Sequence, residues 1–496
     1  MHTLMVYPEF PNTFWSFKHA LKFIGKKASS PPLGLLTLAS LLPKTWQKRL
    51  VDMNVSRLTA KDLKWADVVF ISGMTVQHDS ALDVVKRCKQ AGKKVVAGGP
   101  LFTMDHGKFE LVDHFVLNEA ELTLPEFIHD LQNGNARRVY QTEQFANIQQ
   151  SPVPAWDLAK MDQYMAMSIQ YSRGCPFNCD FCNVTSLFGH QPRVKTAMQI
   201  VAELDSLYAC GWRGDVFFVD DNLIGNKKTL KNELLPALIN WNKNRSGFSF
   251  NTQVSINLAD DEEMIRMMVE AGFNMVFVGI ETTDQSNLSE CNKNQNLHRD
   301  LIADVQRLQR AGLQVQGGFI VGFDHDTQGT IEQLRDFIQK SGIVTAMVGL
   351  LQAPPGTQLF DRLSKAGRIL KDATGNNTDG STNVIPLMNS KLLHQEYKNL
   401  LKYLYSPKIY YQRVKVFLSN YRAPKFKTHL DIKSAFDYLK AFLRSIVQLG
   451  ILGRERREYW KIFFWSLFRR PQTFFLAIVF SIYGYHFRKI SDSIKT

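Results

Sequence analysis

Cys175, Cys179 and Cys182 fall within Arg173-Gly174-Cys175-Pro176-Phe177-Asn178-Cys179-Asp180-Phe181-Cys182, a C-x3-C-x2-C spacing. Three thiolates on one tight loop can hold three irons of a cubane cluster and leave the fourth without a protein ligand. A purely structural cluster wants four ligands, so a vacant iron is a place for a small molecule to bind and react. A structural zinc ion is the competing chemistry, and His190, eight residues beyond Cys182, could complete its set. The triplet, however, opens a β/α unit where a zinc knuckle would close a small loop. Cys88, Cys210 and Cys291 are isolated and read as helix-face or core residues.

Other reactive groups stand at the ends of apolar runs. Asp220-Asp221-Asn222 follows Val216–Val219, and Glu281 follows Met275–Ile280. The first set could simply cap the next helix, and Glu281 could serve a structural ion pair. Gly317-Gly318 and Gly322 allow close backbone approach within a strand, which is also how a nucleoside would fit. Nearer the amino terminus, Ser72-Gly73-Met74-Thr75-Val76-Gln77 and Gly98-Gly99-Pro100 each follow a buried-type strand. In a parallel sheet they lie beyond the carboxyl ends of the strands, where ligands bind.

The elements that must position these groups fall into three units. Over residues 1–150, short apolar strands (Leu4–Tyr7, Val68–Ser72, Val95–Ala97, Asp113–Leu117) alternate with helical patterns such as Leu33–Leu42 and Ser80–Ala91. This predicts a Rossmann-like, doubly wound, mostly parallel sheet. A polar stretch with Pro152 and Pro154 links it to residues 151–360. There six strand–helix repeats, from Ser168–Tyr171 to Thr345–Leu351, predict a partial (β/α)6 TIM-type barrel, with reactive residues at the carboxyl ends of its strands. Residues 361–496 are basic, aromatic and read as mainly helical.

Charge divides the chain more sharply than composition does. The whole carries +14, but residues 390–496 hold 21 Lys+Arg against 6 Asp+Glu, so the remainder is close to neutral. With 45% hydrophobic residues and six scattered cysteines, disorder and a disulfide scaffold are excluded. The amino terminus has no secretory pattern, and the expected address is cytoplasmic. Phe474–Tyr485 is too short to span a bilayer. Tyr459–Phe468 and Phe474–Tyr485, flanked by Arg469-Arg470 and Arg488-Lys489, suit helices lying in a membrane interface, on the inner face of the membrane. A helical cap buried on the barrel is the alternative. No nucleic-acid motif is present, and no nucleic-acid partner is expected.

The cysteine triplet after the first strand of a β/α unit resembles the radical S-adenosylmethionine superfamily. Val219-Asp220-Asp221-Asn222, Gly279-Ile280-Glu281-Thr282 and Gly318-Phe319-Ile320-Val321-Gly322-Phe323 resemble its segments lining the S-adenosylmethionine site. A Rossmann-like domain in front is similar to the cobalamin-binding class. Tyr7–Phe17, Ser255–Asp261 and Tyr483–Arg488 resemble the hopanoid C-2 methylase branch and its relatives. The resemblance implies a 4Fe-4S cluster on Cys175, Cys179 and Cys182, and S-adenosylmethionine held by Asp220, Asp221, Glu281 and Gly318. It also implies cobalamin (as methylcobalamin) against Ser72, Gly73, Thr75, Gly98 and Gly99. The cobalt-ligating pattern D-x-H-x-x-G is absent, since Asp105-His106-Gly107 has the wrong spacing, so no lower histidine ligand is expected from it. The implied activity is methylation of an unactivated carbon, in a small molecule or a hopanoid or triterpenoid lipid, with a one-electron donor such as flavodoxin or ferredoxin. A non-methylating rearrangement or cyclisation is the alternative, and a non-catalytic cluster or cobalamin sensor a remoter one.

Overall fold

The computed structural model describes residues 1–494 except 244, 246, 372, 377 and 425–431; the expected helical unit therefore includes residues outside the description. The first sheet has six parallel strands: β1 (His2–Tyr7), β2 (Gln47–Asp52), β3 (Val68–Ser72), β4 (Lys94–Gly98), β5 (His114–Val116) and β6 (Val139–Tyr140), in the order β2-β1-β3-β4-β5-β6. Leu4, Val6, Val69, Ile71, Val95 and Ala97 pack on one face, and Met5, Val68, Phe70 and Val96 on the other. Both faces are covered by helices, so the central strands read as unbroken apolar runs. The edge strands β2 and β6 escaped the sequence reading for the same reason. Gln47-Lys48-Arg49 is partly solvated and has no apolar run to betray it.

The second sheet joins β7 (Ala166–Ile169), β10 (Gly214–Phe218), β11 (Phe248–Val254), β12 (Phe273–Glu281), β13 (Gln314–Val321) and β14 (Ala346–Leu350) in sequence order, all parallel. It is an open half-barrel. A short antiparallel pair, β8 (Ser172–Arg173) with β9 (Arg193–Val194), closes the base of the cysteine loop. One sheet face, with Met167, Val216, Phe218, Phe250, Val276 and Val278, is buried. The other is concave, and along it Phe217, Asn251 and Met275 share a register row, as do Gln253, Phe277 and Gln316.

The helices after residue 389 finish the half-barrel. The hydroxyls of Tyr397 and Tyr405, on and just after the helix Ser390–Leu404, donate to the carbonyls of Val348 and Ala346 at 3.2 and 2.5 Å. They occupy the exposed edge of β14, which would otherwise offer unpaired backbone groups. The segment Phe14–Ile24 and the terminal helix Phe474–Ser493 close the open side: Phe14 stacks on Phe487 at 4.2 Å, and His486 Nε2 meets the Phe14 carbonyl at 2.9 Å. Burial of Ala477, Ile478, Phe480 and Ile482 corrects one expectation. Phe474–Tyr485 is a capping helix whose apolar face is spent on the protein. No helix among the described residues is long and apolar enough to cross a membrane.

Candidate active site

The cysteine loop leaves β8 through Gly174, which has φ +94. A Cβ there would come within 2.8 Å of the Gln191 carbonyl and 2.9 Å of the Gly189 carbonyl, so only glycine makes this turn. The loop is pinned on its far side: Leu359 N donates to the Asp180 carbonyl at 2.9 Å, and Gln358 Nε2 to Asn178 Oδ1 at 3.0 Å. Cys179 and Cys182 line a cleft of about 190 Å3 together with Ser186, His190 and Gly356, and all three cluster-motif cysteines are half-buried. Burial raises each thiol, Cys182 to about 12. A metal centre assembling here must therefore displace protons as it binds. Among the described residues no three His, Cys, Asp or Glu side chains converge closely enough for a single ion. A cubane, in which each thiolate takes a different iron, asks for a wider triangle than zinc does.

The expected carboxylates divide. Asp220 is fully buried and both its oxygens are engaged: Oδ1 accepts from Ser172 N and Ser172 Oγ, and Oδ2 from Tyr171 N at 3.1 Å. Burial raises it to about 6. It anchors the chain that leads into the cysteine loop, with Tyr171 and Ser172 as its donors. Asp221, next along, is half-buried and raised to about 7, by burial first and by Asp220 second. Gly318 lies against an aromatic ring. A Cβ on it would lie 2.6 Å from Phe277 Cζ, so only glycine lets the strand pass this ring so closely.

Glu281 sits where β12 breaks register with β13, at φ +64, a conformation that costs a non-glycine residue free energy. That turn delivers its carboxylate to Lys293, 2.8 Å away. A Cβ at Gly279 would strike both partners of this pair, Glu281 Oε1 and Lys293 Nζ. Burial favours a neutral amine, yet the charges of Glu281 and Cys179 hold Lys293 above the ordinary lysine range. Gln295 Nε2 reaches Cys179 Sγ at 3.8 Å, while Gln295 Oε1 and Asn296 Oδ1 are buried without a partner. Two orphaned acceptors and a buried ammonium beside the thiolates fit a polar, zwitterionic ligand at the cluster. Lys293, Gln295 and Asn296 escaped the sequence reading. They lie in a polar stretch, Cys291–Asn296, without periodicity or motif.

At the other edge, Ser72, Gly73, Thr75, Gly98 and Gly99 cluster at the carboxyl ends of β3 and β4. Gly99 has φ +86, and a Cβ on it would collide with Ser72 Oγ; one on Gly98 would collide with the Val116 carbonyl. These two glycines draw the neighbouring loops together, and it is the outer surface of those loops, with Met74 half exposed, that faces outward. A Cβ at Gly375 would lie 2.9 Å from Thr75 Cβ, so a loop of the helical unit borders the same edge. His106 packs edge-on against Phe115 at 5.5 Å.

A buried ion network fastens the helix after β5 to the β8–β9 pair at the base of the cysteine loop. Glu119, which opens the helix after β5, accepts from Arg173 and Arg193 at 2.8 Å each, and from Ala146 N at 2.6 Å. Glu121 takes Arg173 at 2.8 Å and Ser151 Oγ at 2.6 Å. Burial alone would raise Glu121; Arg173 overrides it and holds the carboxyl down at about 2. Because Arg173 stands two residues before Cys175, this network sets the cysteine loop relative to the first sheet.

Family models match three stretches: a B12 binding domain over residues 27–128, the radical SAM superfamily over 169–338, and a domain of unknown function, DUF4070, over 357–496. An uncharacterised methyltransferase of Synechocystis sp. is 38% identical, over 100% of this chain and 93% of its own. The hopanoid C-2 methylase of Rhodopseudomonas palustris is 34% identical, over 92% of this chain and 88% of its own. Among solved structures, the cobalamin-dependent S-adenosylmethionine radical enzyme OxsB with aqua-cobalamin bound superposes with a TM-score of 0.62, at 14% identity, covering 99% of this chain and 84% of that one.

Proposed function

Because the chain belongs to the cobalamin-dependent radical S-adenosylmethionine methyltransferases, we propose that it methylates an unactivated carbon of a polycyclic triterpenoid lipid of the hopanoid class. The observation that carries this substrate class is the concave wall of the half-barrel. Phe217, Met275 and Phe277 stay half-buried there, and Trp15 stands edge-on to Phe277 at 5.4 Å. The wall is incompletely covered and sets these apolar side chains beside the amides of Asn251, Gln253 and Gln316 on the same face. The 34% identity to the hopanoid C-2 methylase supports the same reading.

When bound, the cluster and S-adenosylmethionine supply one-electron chemistry able to open an unreactive C–H bond, and methylcobalamin supplies the methyl group. In this reading Cys175, Cys179 and Cys182 hold the cluster. Asp221, Gln295 and Asn296, with the Glu281–Lys293 pair behind them, orient S-adenosylmethionine, and the loops at Ser72–Thr75 and Gly98–Gly99 border the corrin. The Lys293 ammonium offsets the negative charge gathered on the thiolates. Phe277 and Trp15 keep water from the reacting carbon, where it would intercept a reactive species. Flavodoxin or ferredoxin would be the electron donor, and peripheral contact with a membrane would give access to the lipid.

The test is to incubate anaerobically reconstituted protein with a one-electron reductant, cobalamin, a desmethyl triterpenoid in detergent and S-adenosylmethionine carrying a deuterated methyl group. Label is expected in the lipid, and both label and the brown colour are expected to vanish in Cys179→Ala. Deoxyadenosine release without any label in the lipid would overturn the substrate; release persisting in Cys179→Ala would overturn the site.

A further inference from the structure

One face of the helical unit is not used by the protein. The helix Ile432–Ser445 continues through a wider turn, Ile446–Ile451. Its inner face buries Ala441, Ser445 and Leu449. Its outer face carries Leu439, Leu443, Val447 and Ile451, spaced four apart and each 50–56% exposed. Leu452 just beyond is 76% exposed, and Phe468 at the end of the neighbouring helix Arg456–Arg469 is 75% exposed. Aliphatic side chains lined up in water mark an interaction surface, not a chance scatter.

What lies beside the stripe says what covers it. A groove of about 660 Å3 is walled by Leu443, Val447 and Leu452 and by Arg454, Arg488 and Lys489, with Asp492 its acidic member. Arg488 is committed to the buried Glu455 at 2.5 Å, but Arg454 and Lys489 are exposed. Arg444 Nη1 donates to the carbonyls of Lys22 and Phe23 at 3.0 and 2.9 Å, bringing the helix Lys18–Ile24 alongside. Lys22 is exposed, and after burial its charge and that of Lys489 lower His19, so the two ammonium groups share one neighbourhood. A row of bare aliphatic groups rimmed by cations matches an interfacial helix on an acidic bilayer. Nucleic acid would use the cations and have no use for the row.

We propose that the outer stripe of residues 439–451, with Arg454, Lys489 and Lys22 at its rim, docks the protein on an anionic phospholipid surface, the aliphatic side chains at headgroup depth. This rests on the lipid substrate argued above, and one piece of chain joins the two: the segment that carries Lys22 also carries Trp15, set against Phe277 in the half-barrel wall. Docking there sets the segment that closes the open side of the hollow against the source of its substrate.

The experiment floats full-length, cofactor-loaded protein with vesicles of phosphatidylcholine alone or mixed with phosphatidylglycerol. Capture by the mixed vesicles is expected, reversed by high salt, with little capture by phosphatidylcholine alone. Arg454→Ala and Lys489→Ala each weaken it about fivefold, and Leu443→Ser with Val447→Ser weakens it about tenfold or more. All these positions are exposed, so the circular dichroism and melting profile should match the parent. Equal capture by both vesicle types, no capture, or capture indifferent to these variants would overturn the proposal. So would a dimer by light scattering that the serine pair dissolves, since a second copy would then own the stripe. Methylation of detergent-dispersed triterpenoid should survive in the serine pair. Vesicle capture with no methylated lipid would sink the substrate reading alone, and methylation without capture would sink the docking alone.

Discussion

Replacing Glu119 by glutamine tests whether the cysteine loop is held by charge from the first domain. The Glu119 side chain is 2% exposed and meets two guanidinium groups, Arg173 and Arg193, each at 2.8 Å. Glutamine keeps the shape but turns an amide donor toward a guanidinium. Removing one member of a buried ion arrangement costs about 3–5 kcal/mol, because the charges left behind stay out of water. Arg173 retains Glu121, and Arg193 is 21% exposed, so the lower end, about 3 kcal/mol, applies. The assay is urea unfolding of the apo protein, run as a cycle with Arg193→Gln and the double variant. The double variant should lose less than the sum of the singles, with a coupling of about 1–3 kcal/mol. In reconstituted protein, Glu119→Gln should also release iron to a chelator faster, because Arg173 leads directly into Cys175. Additive single costs, with Glu119→Gln below about 1 kcal/mol, would refute the reasoning and make the network a bystander.

Acid should act on the same network. Glu121 has a folded pKa of about 2, below the ordinary 4.5, so the unfolded chain takes up a proton first on acidification. Its contribution, about 3 kcal/mol, is complete above about pH 4.5 and lost as pH falls toward 2; Glu121→Gln should flatten acid unfolding in that window, and an unchanged profile would contradict the pairing. Gly174→Ala pushes a methyl group into the Gln191, Gly189 and Phe188 carbonyls at 2.8–3.0 Å and strains a residue at φ +94, so about 1–3 kcal/mol and much of the bound iron should be lost. Normal iron per chain in that variant would show that the loop tolerates a different exit. Lys293→Met strands the Glu281 carboxylate and should lower stability by about 3 kcal/mol or more, with partial recovery on adding Glu281→Gln; thermal melts of the three proteins decide it.

The cysteine triplet, the alternation of strands and helices and the charge of the last hundred residues could all be read from the chain, because each is a local pattern. Spacing puts three thiols on one loop, a run of apolar residues makes a strand buried on both faces, and neither needs knowledge of distant partners. Asp220 and Asp221 look equivalent in the sequence. Only the folded chain decides that the first is consumed by Tyr171 and Ser172 while the second stays half-buried beside it. That Gly318 must stay without a side chain is set by Phe277, forty-one residues earlier and one strand over. Lys293 gains its meaning from a carboxylate twelve residues away across a strained strand end, and Arg173 from acids more than fifty residues earlier, at the start of a helix of the first domain. Which groups are left facing solvent is decided last of all: Phe474–Tyr485 and the stripe from Leu439 to Ile451 are both apolar helices by pattern, and only packing buries one and bares the other. Patterns along a chain report what neighbours in sequence can do together. Ion pairs, excluded space and solvent access depend on neighbours in space, and those exist only after the chain has closed on itself.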